Sequence, residues 1–96
     1  MTMPETLTLP EVRITAPEVA RRAKEQLAEL TGLKPDTVSS LNRDEAGWHA
    51  ALEMVELRRV PDSGDVLATY EVSLDEAGNL TGYERTRRYQ RGQMMG

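Results

Sequence analysis

Six residues near the C-terminus combine charge with aromatic surface: Tyr83, Arg85, Arg87, Arg88, Tyr89 and Arg91. Guanidinium groups and phenol rings in one short run can do three things. They can hold phosphate and stack on bases, they can anchor a protein interface, or they can pair with carboxylates of their own sheet. The carboxylates available for pairing are Glu53, Glu56, Glu71 and Glu84. Glu53 and Glu56 would also be the only pair suited to acid–base catalysis, which needs two carboxyl groups in contrasting environments. Cross-strand pairing with arginine explains them more simply. His49 is the single histidine, with no nucleophile or orienting partner indicated, and beside Trp48 it reads as solvent-facing. There is no cysteine, which removes thiolate ligands, cysteine nucleophiles and disulfides. The glycines are isolated in turns and make no phosphate loop. No catalytic, cofactor or metal site is therefore expected, and the Arg/Tyr run is the candidate partner-binding surface, with Glu53, Glu56 and Glu71 as neighbours.

The run has to be carried by a strand. Val66, Ala68, Tyr70, Val72 and Leu74 alternate with Leu67, Thr69, Glu71 and Ser73, the period-2 pattern of a half-buried strand. Asp75-Glu76-Ala77-Gly78 turns the chain, and Leu80 to Arg91 returns. A regular strand would put Tyr83, Arg85, Arg87, Tyr89 and Arg91 on one face, and Gly82, Glu84, Thr86, Arg88 and Gln90 on the other. Upstream, Trp48 to Val60 lies between Gly47 and Pro61. Trp48, Ala50, Leu52 and Met54 alternate inward, and the apolar residues then shift to Val55 and Leu57, which predicts a β-bulge near Val55-Glu56. Residues 36–43 read as an edge strand. They end at Asp44-Glu45-Ala46-Gly47, the same tetrapeptide as 75–78, so two similar hairpins are expected.

One helix precedes the strands. Thr15-Ala16-Pro17-Glu18 is a capping box with proline in the first turn. Val19, Ala20, Ala23, Leu27 and Leu30 follow at helical spacing, and Gly32 stands where a helix ends. Arg21 and Glu25 are spaced for a contact one turn apart. The expected architecture is α+β in two layers: one N-terminal helix on a three- to four-stranded antiparallel β-meander, packed through Leu27 and Leu30 against Trp48, Leu52, Tyr70 and Val72. The opposite face is left open, lined by Glu53, Thr69, Glu71 and residues of the Arg/Tyr strand. Residues 15–91 form the expected single domain, 1–14 a flexible tail or edge segment, and 92–96 a frayed tail.

Composition narrows the function further. The chain has 96 residues, no Phe, one Trp and three Tyr, so a modest core must rest on Leu, Val, Met and Ala. The first twelve residues lack the basic and apolar regions of a signal peptide, and nothing approaches the ~20 apolar residues of a membrane span, so a cytoplasmic protein is expected. Residues 1–80 carry 8 Lys/Arg against 15 Asp/Glu, a net −7; residues 81–96 carry 4 Arg against one Glu, a net +3. The acidic body and the sequence pI near 5.0 count against a nucleic-acid-binding surface.

The ordered run Val55-Glu56-Leu57-Arg58-Arg59-Val60-Pro61, Asp65 to Asp75, Gly78-Asn79-Leu80, Tyr83-Glu84-Arg85, Arg88-Tyr89 and Arg91 resembles the gas vesicle protein O family (GvpO) over Val19 to Arg91. The resemblance implies a small, cytoplasmic, non-enzymatic accessory protein needed for making gas vesicles, and it carries over no catalytic site. The expected function is assembly by binding other gas vesicle proteins, shell or accessory, with association to the vesicle itself left open. The alternative is a nucleic-acid-binding regulator of vesicle expression that uses the Arg/Tyr strand. An exposed edge strand would also admit a homodimer.

Overall fold

The computed structural model describes residues 14–92. Helix α1 (Ala16–Thr31) begins where the capping box predicts: the Thr15 hydroxyl accepts the Glu18 N–H at 3.4 Å. It ends at Gly32, which has φ 74° and donates its N–H to the Ala28 carbonyl. Arg21 meets Glu25 as spaced, and Glu18 adds ion pairs to Arg21 and Arg22 that the spacing argument did not include. A carboxylate in the first turn also complements the helix dipole.

Val19, Ala23 and Leu27 are completely buried. Leu30, expected to pack beside Leu27, is instead 58% exposed. Contacts spaced four residues apart advance about 40° around a helix at each step, so a helix crossing its sheet obliquely buries a drifting stripe. By the last turn that stripe has moved on to the half-buried Ala28 and Thr31, and Leu30 has rotated out.

Four strands follow: β1 (Lys34–Asp44), β2 (Gly47–Leu57), β3 (Val66–Leu74) and β4 (Leu80–Gln90). They form one antiparallel sheet in the order β1-β2-β3-β4. The fold is the expected α+β arrangement, with four strands. Trp48, Ala50, Leu52 and Met54 of β2 and Ala68, Tyr70, Val72 and Leu74 of β3 face α1 and form the core with its buried stripe. α1 lies nearest β1 and β2.

Bulges decide which side chains reach that core. In β2 the register shifts between Val55 and Leu57, where the change of apolar phase predicted it. In β1 it shifts between Pro35 and Thr37 and again between Val38 and Ser40. The second shift lets Val38 and Leu41, three residues apart, both pack against the core. β1 therefore had no clean alternation to read, and it extends beyond the expected 36–43. β2 stops at Leu57, short of Val60, and a 3-10 turn at Asp62–Gly64 leads into β3.

The repeated tetrapeptide uses one piece of chemistry twice. Asp44 and Asp75 each accept, on the side chain, the backbone N–H two residues on, at Ala46 and Ala77. The glycines that follow differ. Gly47 has φ +135°, and a Cβ there would lie 2.2 Å from the Leu74 carbonyl oxygen, so this hairpin depends on close backbone approach. The β3–β4 turn is clamped by α1: the Gln26 amide donates to the Gly78 carbonyl and accepts from the Leu80 N–H, both at 2.9 Å. No helix among the described residues is long and apolar enough to cross a membrane. Apart from Ile14, which packs against the core, and Gly92, the segments read as tails at 1–14 and 92–96 lie outside the described residues.

Candidate partner-binding surface

A bulge within β4 reorganises the Arg/Tyr run. Thr69 pairs with Arg87 but Tyr70 pairs with Arg85, leaving Thr86 as an extra residue in β4. Alternation reverses there. Tyr83, Arg85 and Arg88 fall on the α1 side, opposite Val72, Tyr70 and Ala68. Arg87 and Tyr89 fall on the open side, opposite Thr69 and Leu67, and Arg91 joins them just past the strand. The single Arg/Tyr face expected from strict alternation does not exist. The six residues make two surfaces.

The open-side group is engaged internally, centred on Glu53, which is only 9% exposed. The Glu53 carboxylate accepts the hydroxyls of Thr69 at 2.6 Å, Tyr89 at 2.6 Å and Ser39 at 2.8 Å, drawn from β3, β4 and β1. Burial pushes this carboxyl up, but the three hydrogen bonds and the nearby Arg87 charge outweigh burial and hold it below its ordinary value. The partner responds in the opposite sense: burial and the hydrogen bond to Glu53 push the Tyr89 phenol up to about 12. Arg87 lies over the Tyr89 ring at 4.5 Å, a cation–π arrangement.

Arg91 closes one end of this face. Its guanidinium reaches Asp36 at 3.3 Å and Asp65 at 3.2 Å. Asp65 is 1% exposed and also accepts the Arg59 N–H; that hydrogen bond, with the Arg91 charge, holds its carboxyl low. Asp36 belongs to β1, three strands from β4. Strands lie about 4.8 Å apart and side chains stand up from a sheet, so this contact closes only if the sheet curls toward the open face. The result is a groove of about 700 Å³ with Glu53, Thr69, Arg87, Tyr89 and Arg91 among its lining residues.

The α1-side group is arranged differently. Glu56, the bulged residue of β2, receives Arg85 at 3.1 Å and Arg88 at 2.7 Å. Burial raises the Glu56 carboxyl, but the two guanidiniums outweigh it and leave it low. The carboxylate is 14% exposed, while the Arg85 and Arg88 side chains are 51% and 57% exposed. Beside them Tyr83, 46% exposed, packs on the buried Tyr70 with ring centroids 6.2 Å apart.

Two pairings expected from sequence do not form. Among the described residues Glu71 and Glu84 make no ion pair with arginine: they face each other in register across β3 and β4. Glu53 is met by hydroxyls, and Glu56 takes the ion pairs with Arg85 and Arg88. Glu53 and Glu56 lie on opposite faces of the sheet, as an odd separation of three residues along a strand dictates, so the candidate acid–base pair cannot share a substrate. His49 meets Asp44 at 2.9 Å on the exposed first hairpin. Among the described residues no group of three or more acidic, His or Cys side chains is placed to hold a metal ion. Sequence reasoning missed Ser39, Thr69, Asp36 and Asp65 as partners of these groups. Only the strand parity of Thr69 hinted at a place near Glu53.

The gas vesicle synthesis protein GvpO family matches residues 4–95. The chain is 55% identical to gas vesicle protein O of Streptomyces sp. (strain CB03234) over 74 residues, 77% of this chain and 58% of the relative. It is 37% identical to gas vesicle protein O1 of Halobacterium salinarum over 73 residues, 76% of this chain and 61% of the relative. It is also 37% identical to gas vesicle protein O of Haloferax mediterranei over 89 residues, 93% of this chain and 59% of the relative. This chain thus spans about three fifths of the length of these relatives. No solved structure matches. The Glu56-to-Arg91 run that carries the resemblance is the same run that builds β3, β4 and both arginine clusters, and the chain belongs to the gas vesicle synthesis protein GvpO family.

Proposed function

We propose that this protein takes part in gas vesicle formation as an assembly factor, acting in the cytoplasm by binding other gas vesicle proteins and not by catalysis. Family membership supports the vesicle role. The observation that carries the binding mechanism is β4 itself. It is an edge strand whose residues are exposed along almost its whole length, and it presents Tyr and Arg, the side chains that dominate interface hot spots. The two carboxylates that would serve acid–base chemistry stand on opposite faces, which favours binding over turnover.

The nucleic-acid reading has one observation in its favour, the net +3 of residues 81–96. Against it, Arg85 and Arg88 are engaged by Glu56 and Arg91 by two aspartates. A phosphate-binding face draws its affinity from several uncompensated cations. The test is complementation in a vesicle-forming host that lacks the chromosomal copy of this gene. The full-length protein should restore buoyant vesicles and co-purify with an identified vesicle protein. Vesicles forming normally without any copy would overturn the assembly reading. Salt-dependent retention on nucleic acid with no vesicle protein bound would replace it with the regulator.

A further inference from the structure

The two arginine clusters differ in what they leave for a partner. The Tyr89–Glu53 and Arg91–Asp36–Asp65 contacts tie all four strands together across the open face, and Arg91 serves two carboxylates at once. The charge of that cluster is balanced by its own sheet, although the buried Arg91 Nε has no hydrogen-bond partner among the described residues. On the α1 side, two guanidiniums share one carboxylate. Arg85 uses Nη1 and Arg88 uses Nε. The remaining guanidinium nitrogens of both have no partner among the described residues, and one positive charge is left uncompensated. Glu56, largely buried, fixes both side chains in place, so little side-chain entropy remains to be lost on binding. α1 crosses toward β1 and leaves this corner uncovered, with the Tyr83 ring exposed beside the arginines.

Resting on the assembly reading, we infer that Tyr83, Arg85 and Arg88, held by Glu56, form the docking site, and that its occupant is an acidic segment of another protein. Such a segment would set carboxylates against the open guanidinium edges and an apolar side chain on the Tyr83 ring. Fork geometry suits carboxylate recognition. A second copy of this chain is the poorer occupant, because a two-fold contact centred here would place Arg85 and Arg88 against their own symmetry mates. Nucleic acid is also the poorer occupant, since the cluster offers a net charge of only +1.

The experiment is site-specific photocrosslinking in cells making vesicles. A photoreactive phenylalanine analogue replaces Tyr83 in one version of the full-length protein and Thr86 in a control, with thermal melting confirming equal folding. The proposal expects crosslinks from position 83 to a peptide identified as a carboxylate-rich segment of another protein. Those crosslinks should fall at least tenfold with Arg85→Glu/Arg88→Glu, should persist with Arg87→Glu, and should be weak from position 86. Crosslinks to a second copy, crosslinks to nucleic acid, or none above the position-86 control would each overturn the proposal. If vesicles still depend on the protein while position 83 captures nothing, the docking site is wrong and the assembly reading stands. If vesicles do not depend on the protein, the assembly reading itself fails.

Discussion

Removing one oxygen atom tests the hydrogen-bond centre of the open face. In Tyr89→Phe the ring stays and the donor to Glu53, 2.6 Å away, is lost. A hydrogen bond to a charged group contributes about 1.5–3 kcal/mol. The lower part of that range applies, because Glu53 keeps Thr69 and Ser39. A second route gives a similar figure. The phenol is pushed up to about 12, by burial first and by Glu53 second, from an ordinary value of about 10, and at about 1.36 kcal/mol per unit that whole gap is only a ceiling of roughly 2.7 kcal/mol on the hydrogen bond. The ring is partly exposed, and solvent screening reduces this to about half. Both routes meet near ~1.5 kcal/mol, a fall in Tm of about 5–10 °C for a domain of this size.

The pH dependence has a definite sign. The folded state favours the protonated phenol, so the contribution is complete below the unfolded value of about 10 and disappears as pH rises from there toward about 12. The Tm gap between wild type and Tyr89→Phe should hold from pH 7 to 9 and narrow steeply above pH 10. Thermal melts followed by circular dichroism read this directly. Tyr83→Phe serves as control, since its hydroxyl makes no hydrogen bond among the described residues, and its melt should match wild type. A gap under ~1 °C at pH 7, or one unchanged at pH 11, would refute the account of Glu53 as a hydrogen-bonded centre.

Three further outcomes follow from the packing and the register. Leu27→Ala empties a fully buried position between α1 and the sheet and should cost about 2–5 kcal/mol in urea unfolding; a loss under ~1 kcal/mol would mean α1 does not seat there. Gly47→Ala meets both a positive φ and the Leu74 carbonyl, so it should cost about 3 kcal/mol or more, whereas Gly32→Ala, with nothing within 4 Å of the new Cβ, should cost only the left-handed strain of about 1–2 kcal/mol. Equal losses in the two glycine variants would refute the close approach. Glu84→Lys replaces a like-charge pair with an opposite-charge pair facing Glu71 and should stabilise by about 0.2–1 kcal/mol. A lowered urea midpoint would show that the two carboxylates are not paired in this register.

The fold was legible where local signals agreed. The Thr15 cap, the Gly32 stop, the alternation of β2 and β3 and the two Asp-initiated turns each act over a few residues, and each was readable from those residues. Leu30 was misplaced because periodicity specifies a face of a helix but not the angle at which the helix crosses its sheet. β1 was read short and weakly because its bulges break alternation without leaving any apolar signal. The Glu56 bulge could be read because apolar residues on both sides of it changed phase. The Thr86 bulge could not, because every neighbour is polar and a slip among arginines changes no visible pattern. The partners of Tyr89 and Arg91 come from β1, β2 and the segment leading into β3, at separations of 26 to 55 residues, where no spacing rule reaches.

That one inserted residue changes what the arginines can do. In a regular β4, Arg85, Arg87 and Arg91 would crowd one face with both tyrosines, and Arg88 would stand alone opposite them. Like charges on neighbouring same-face positions repel, and Glu56 on the other face would keep only Arg88. Bulging Thr86 out of the ladder gives each face its own acid: Glu53, Asp36 and Asp65 on the curled side, and Glu56 on the side of α1. The first set has at least as many carboxylates as guanidiniums and so stabilises the sheet. The second has fewer carboxylates than guanidiniums and keeps an outward positive edge. Deleting Thr86 should therefore leave this division standing. With the extra residue gone, Arg85 and Arg87 become neighbours in a regular ladder and still fall on opposite faces, so Tyr83, Arg85 and Arg88 stay together with Glu56 on the side of α1 and only the bulge is lost. A protein lacking Thr86 should stay folded and still crosslink from position 83 through Arg85 and Arg88; loss of those crosslinks in a protein that remains folded would show that Thr86 is not the extra residue, and the division of the run into two surfaces would lose its physical basis.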